Sequence, residues 1–297
     1  MTMIDITEVF CFIDDFCKIF EPILQQQLLG DGIIRRIRKG FMSLSEIMTI
    51  LVMFHLSKMK TFKDFYFRFV KVYLKPFFPK LLSYNRFVEW IPRTALAFAT
   101  LFSLSGGECT GISFIDSLPL KVCHNRRINR HKVFKGLAGR GKSSMGWFFG
   151  LKLHAVINTN GEVIDMMLSS GNVHDNKGLK PLSKKLQGLL FGDKGYISKE
   201  LREWLQETKD LRLITTVRKN MKELAMTSTE KALLKKRFLI ETVFGKLQSE
   251  TEIQHTRHRS PRNFLVNVLS SLVTYNQYLK KPEMRKLATQ KDYLMPA

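Results

Sequence analysis

At 297 residues the chain can bury at least one substantial core, and 44% hydrophobic with 11% aromatic residues excludes a disordered protein. Its 48 Lys and Arg against 26 Asp and Glu give a formal charge of +22 and a pI near 9.9, a field that selects a polyanion, nucleic acid before a membrane surface. No apolar run approaches the roughly 20 residues of a spanning helix, no secretory signal opens the chain, and four cysteines without C-x-x-C spacing exclude a disulfide framework. These features predict a cytoplasmic protein with reduced thiols and no structural zinc.

Apolar periodicity predicts helices over 8–29, 43–57, 61–74 and 88–104, an all-α domain of residues 1–105. Ser43-Leu-Ser-Glu46 has the spacing of a capping box, with Ser43 or Ser45 accepting from the opening N–H groups. A helical packing or dimerisation domain and a helix-turn-helix reader of DNA ends fit this region equally, and no recognition helix stands out. Ser105-Gly-Gly-Glu-Cys-Thr-Gly111 then marks a break in composition.

Beyond it the pattern predicts strands over 112–122, 147–157 and 162–169, the last two joined by a hairpin turn at Asn158-Thr-Asn-Gly161, where Asn and Gly tolerate positive φ. A helix over 174–187, a strand over 188–193, a helix over 198–208 and a strand over 211–217 follow. Helices over 229–250 and 262–279 and a polar tail at 281–297 complete the chain. The order βββαβαβα predicts an α/β domain over 106–280, a ribonuclease-H-like mixed sheet flanked by helices. Ligands of such sheets gather at strand ends, so carboxylates emerging there become candidates for chemistry.

Three acids stand out on this map. Asp116 lies inside an apolar strand, where an unpaired carboxylate costs several kcal/mol or shifts its pKa, so it calls for a cation or for backbone N–H partners. Asp193 in Gly192-Asp-Lys-Gly195 reads by itself as a turn residue. Glu241, four residues after Arg237, reads by itself as half of an ordinary helix pair. Brought together, three hard oxygen donors suit Mg²⁺ or Mn²⁺, and two such ions about 3.5–4 Å apart serve phosphodiester chemistry.

The basic field supports that reaction. From Ser117 to Gly161 there is no acidic residue, while Arg126, Arg127, Arg130, Lys132, Lys135, Arg140 and Lys142 crowd one segment suited to tracking phosphates. Lys194 is either a further DNA contact or merely solvated, and Lys231, Lys235, Lys236 and Arg237 form a second basic group that fits a solvated helix face as well. Trp147 reads as a packing residue rather than a base-stacking platform.

These motifs resemble those of DDE transposases of bacterial insertion sequences. Phe114-Ile-Asp-Ser-Leu-Pro119 is similar to that family's first Asp motif, Asp193-Lys-Gly-Tyr196 to its second, and Gly171-Asn-Val-His-Asp175 to a motif between them; Arg237 stands four before the final Glu241. The Tyr and Lys that complete one branch's signature fall on Leu234 and Gln248, so only Arg237 and Glu241 carry over. The resemblance implies a retroviral-integrase-like catalytic domain in which Asp116, Asp193 and Glu241 hold two metal ions. Arg237 orients Glu241 or meets a phosphate, and His174 and Asp175 stand near the site mouth. It implies DNA ends and target DNA as partners, a homodimer in the DNA complex, nucleoid association when bound, and no small-molecule cofactor. A catalytically silent DNA-binding protein of the same fold and a general metal-dependent nuclease are the alternatives.

Overall fold

The computed structural model describes residues 5–33, 36, 40–216, 225–254, 258–282 and 284. Helices α1 (Ile6–Gly30), α2 (Leu44–Leu56), α3 (Phe62–Phe65), α4 (Tyr84–Trp90) and α5 (Ala95–Ser105) precede strands β1 (Ile112–Cys123), β2 (Gly139–Ser143), β3 (Gly146–Asn158) and β4 (Val163–Ser170). Then come α6 (Leu179–Leu182), β5 (Gly188–Gly192), α7 (Lys199–Lys209), β6 (Leu211–Thr215), α8 (Ser228–Lys235), α9 (Phe238–Glu250) and α10 (Pro261–Tyr278). None of the described helices is long and apolar enough to cross a membrane.

The chain divides into two compact units: Met1–Ser105 with Leu247–Ile253 and His258–Leu279, and Gly106–Lys246 with Gln254–Arg257 and Lys280–Ala297. This differs from a single cut at residue 105, because α10 groups with the N-terminal helices. Buried residues run around all sides of α10 from Val266 to Asn276, as expected of a central helix, and it packs on α2 and α5. In this helical unit the capping box forms at Ser43, whose Oγ accepts from Glu46 N at 3.1 Å while its own N–H donates to Glu46 Oε2 at 2.7 Å.

Two of the expected N-terminal helices are broken. Over 88–104 the chain passes through a tight turn at Ile91–Thr94, because Pro92 has no N–H for the helical ladder, and α5 restarts after it. Over 61–74 the helix widens after Phe65 into π-type turns from Tyr66 to Leu74, alongside ring contacts of Phe62 with Phe65 and Tyr66 and a stack of Phe65 on Phe69.

The second unit is built on one mixed sheet, six strands among the described residues, ordered β2-β3-β1-β5-β6 with β4 also paired to β3. Strand β3 runs antiparallel to β1 along one edge. Its other edge is shared, by β2 at Gly146–Gly150 and by β4 over Leu151–Ile157. Strand β5 is parallel to both β1 and β6. One sheet face buries Ile115, Val156, Ile164, Leu190 and Leu213 with Leu179, Leu182 and Leu205 from α6 and α7. At the β3–β4 turn Gly161 has φ +74° and Asn158 Oδ1 accepts from the N–H groups of Asn160 and Glu162, both at 3.0 Å, as the Asn-Gly pattern predicts.

Three expectations in this unit are corrected. Strand β2 went unrecognised, since Gly-Arg-Gly-Lys-Ser has no β-branched or aromatic residue; its glycines let it lie close to neighbouring backbone. The helix expected over 174–187 is a short turn, Asp175–Gly178, followed by a single α-turn, α6, in which Gly178 and Pro181 disfavour a continuous ladder. The helix expected over 229–250 is interrupted at Lys236–Arg237, where the N–H groups of Lys236, Arg237, Leu239 and Ile240 reach back three residues instead of four. Strand β6 ends at Thr215; the expected final residue Val217 and most of the 281–297 tail lie outside the described residues.

Candidate active site

The parallel register of β1 and β5 brings two of the acids together. Phe114 pairs with Phe191, so two residues farther along each strand Asp116 and Asp193 reach the same level, and the two-residue side-chain period assigns them the same face. Strand β5 ends at Gly192, and Asp193 caps the turn that follows, its Oδ1 accepting from Gly195 N at 2.6 Å. The turn role and the strand-end placement of Asp193 therefore coexist.

The break between α8 and α9 places Arg237 as a fork between two acids. Nη1 donates to Asp116 Oδ2 at 3.0 Å and Nη2 to Glu241 Oε1 at 2.9 Å. The i, i+4 pair expected from the sequence is present, and its guanidinium is shared with a strand residue 121 positions away. Glu241 remains 57% exposed, whereas Asp116 is 20% and Arg237 21% exposed.

A third carboxylate, Asp175, lies beside this group. A Cβ added to Gly195 would stand 2.9 Å from Asp193 Oδ1 and 3.0 Å from Asp175 Oδ2, so two acids converge on a position that only glycine leaves open. Asp175 is held in place by Ser117 Oγ and Lys152 Nζ, each donating to Oδ1 at 2.9 Å, and Lys152 also donates to the Val173 carbonyl. His174, one residue earlier, is exposed and caps the following turn, its Nδ1 accepting from Asn176 N at 3.4 Å.

The electrostatics reflect this crowding. Burial raises the Asp116 carboxyl to about 6; the Ser117 N–H and the Arg237 guanidinium oppose the rise, and the neighbouring carboxylates of Asp193 and Asp175 add to it. Tyr196, fully enclosed with its hydroxyl unpartnered, is pushed well above the ordinary phenol value by burial and then by Asp116, Asp175 and Asp193. His154 is lowered to about 4, chiefly by burial.

The basic residues singled out in the sequence, Arg126, Arg127, Arg130, Lys132, Lys135, Arg140, Lys142 and Lys194, are all exposed. The first three lie on a short turn capped by His124. Lys152, Ser117 and Tyr196 were missed as neighbours of the acids. The signal for Lys152 was present: a lysine inside the apolar run Leu151–Ile157 needs a buried anion.

Residues 106–261, just over half of the chain, match the family model described as a transposase DDE domain. The chain belongs to this transposase family. No curated protein matches it. The matched segment of the DDE domain contains Asp116, Asp175, Asp193, Arg237 and Glu241, and membership makes the chain a nucleic-acid-processing enzyme of a kind that generally depends on divalent metal.

Among the described residues of the DDE domain, no three Asp, Glu, His or Cys side chains stand close enough together to hold an ion. The donors still fit a hard divalent cation in their chemistry. The neighbouring carboxylates of Asp193 and Asp175 raise the proton affinity of Asp116, and positive charge beside them would relieve the repulsion that Arg237 only partly offsets.

Proposed function

We propose that the chain is the transposase of an insertion sequence, which binds terminal inverted repeats and catalyses metal-dependent strand cleavage and strand transfer through a ribonuclease-H-like catalytic domain. The observation that carries this reading is the shared register of Asp116 and Asp193 with Arg237 linking Asp116 to Glu241. Asp116, Asp193 and Glu241 would hold Mg²⁺ or Mn²⁺, which when bound activates a water or 3′-hydroxyl and stabilises the leaving oxygen.

The chain's own residues do the rest. Arg237 holds Asp116 and Glu241 in register, and its guanidinium would be the group that meets a phosphate of the DNA. Asp175, fixed by Ser117 and Lys152, orients the turn that presents Asp193. The exposed cations from Arg126 to Lys142, with Lys194, contact the DNA backbone. A homodimer on paired element ends and residence at the nucleoid belong to the same reading.

Nicking of end-containing DNA in Mg²⁺ tests it. Single substitutions of Asp116, Asp193 or Glu241 by Ala abolish cleavage and leave DNA binding largely intact; retained cleavage in all three sinks the proposal. The exposure of Glu241 and the absence of a closed cluster of donors among the described residues favour, as the second reading, a catalytically silent DNA-binding protein. That reading predicts that no metal-dependent nicking of cognate ends occurs at all.

A further inference from the structure

The β2–β3 hairpin carries a surface that the carboxylate site leaves unused. Along β2, Arg140 and Lys142 alternate with Gly139, Gly141 and Ser143, so both cations share the outer face. At Gly139 and Gly141 the inner face has no room for a side chain. A Cβ on Gly139 would lie 2.3 Å from Asn172 Oδ1, and one on Gly141 would lie 2.2 Å from the Gly171 carbonyl oxygen. The hairpin is thereby seated on Gly171-Asn172, the start of the segment that leads to Asp175.

On the outer face Trp147 pairs with Lys142 across the ladder. The Arg140 guanidinium is 5.4 Å and the Lys142 ammonium 5.9 Å from the indole centroid. Trp147 is 54% exposed, and Met145 at the hairpin tip is 85% exposed. The packing role read from the sequence for Trp147 is therefore corrected. An indole left half in water forgoes one of the largest apolar burials open to any side chain, and here two cations stand over it on a strand whose backbone is fixed by Asn125 Nδ2 donating to the Trp147 carbonyl at 2.8 Å.

We propose that this hairpin is a stacking platform for unpaired DNA, an unstacked base lying against the Trp147 indole while Arg140 and Lys142 meet the flanking phosphates. The inference rests on DNA as the substrate proposed above. It commits to single-stranded DNA because bases inside a duplex have no free face, whereas unpaired bases stack on aromatic side chains with little regard to sequence. The acid-free surroundings from Ser117 to Gly161 supply the charge complementarity for the backbone.

The experiment compares a blunt duplex with the same duplex carrying a single-stranded tail, both binding the full-length chain. Tailed DNA quenches tryptophan fluorescence in the unmodified protein, and Trp147→Phe removes that quench while keeping most of the affinity. Trp147→Ala weakens binding of the tailed probe about 5- to 100-fold and changes blunt-duplex binding by less than about twofold. Arg140→Ala with Lys142→Ala weakens both probes and flattens the salt dependence. The inference is overturned if Trp147→Ala binds tailed DNA as tightly as the unmodified chain, if it weakens both probes equally, or if the quench survives in Trp147→Phe. Failure of the catalytic reading would appear elsewhere, as cleavage surviving in the triad variants, and would leave the difference between tailed and blunt probes untouched.

Discussion

Each unit of the chain encloses a histidine completely, and each environment lowers its pKa to about 4, chiefly by burial. In the helical unit His55 is satisfied on both sides: Nδ1 donates to the Thr251 carbonyl and Nε2 lies 2.8 Å from Ser270 Oγ. In the DDE domain His154 meets Ser169 through Nε2 at 2.8 Å, while Nδ1 has no hydrogen-bond partner and lies 4.0 Å from Asp175. The same contrast holds for charge. Hydroxyls buried between the helices of the first unit are neutral and paired, as Thr251 is with Ser271, whereas in the DDE domain the charges of Asp116, Asp175 and Asp193 all act on the buried Tyr196. Polar burial in one unit holds helices together. In the other it sustains an arrangement that folding alone would not favour, of the kind that clusters at functional sites.

The largest test of this contrast is catalytic. Asp116→Asn is expected to lower Mg²⁺-dependent nicking by about a thousandfold or more without lowering the melting temperature, since it removes a buried charge and keeps the shape. A variant that nicks poorly because it unfolds would break the comparison.

Stability separates the two histidines next. His55→Leu strands the Thr251 carbonyl in the core and should cost about 2–4 kcal/mol in chemical denaturation. His154→Leu removes an already unsatisfied nitrogen, and Ser169 keeps the Ser170 carbonyl as a partner, so its cost should stay below about 1 kcal/mol. Equal costs would erase the distinction.

The pH dependence sharpens it further. A folded-state pKa for Asp116 of about 6, above the ordinary 3.8, means that the native state binds the proton more tightly than the unfolded chain. Its stabilising contribution is complete below about pH 4 and is lost as pH rises through about 6, a change on the order of 2 kcal/mol after allowing for partial exposure. Unfolding free energies measured from pH 4 to 7 in metal-free buffer should show this loss in the unmodified protein relative to Asp116→Asn. A parallel pair of curves would refute it.

A further test concerns the strand that the sequence concealed. Gly141→Ala forces a methyl against the Gly171 carbonyl and should destabilise the chain by about 1–2 kcal/mol in the same denaturation assay.

Much of the fold was legible beforehand because its signals are local. The Asn-Gly hairpin, the apolar runs of β1, β3 and β5, and the Ser43 capping box each depend on a few adjacent residues whose conformational preferences agree with the fold. The elements that went unread depend on distant partners. Strand β2 has no intrinsic strand preference and exists because its glycines fit against Gly171 and Phe148. The break before Arg237 gives a charged residue an anchor on Asp116, across the fold. For Trp147 the sequence ranks packing above base stacking, and only its exposure reverses that order.

By itself the sequence determined the basic field, the order of the main strands and the identity of the acids, since charge and side-chain period are properties of the chain. Only the tertiary structure decided that Asp116 and Asp193 share a level, that Arg237 spans Asp116 and Glu241, that Asp175 is held by Ser117 and Lys152, and that Trp147 faces water. Those facts follow from strand register and from which backbones approach closely, and neither is encoded in any single stretch of residues.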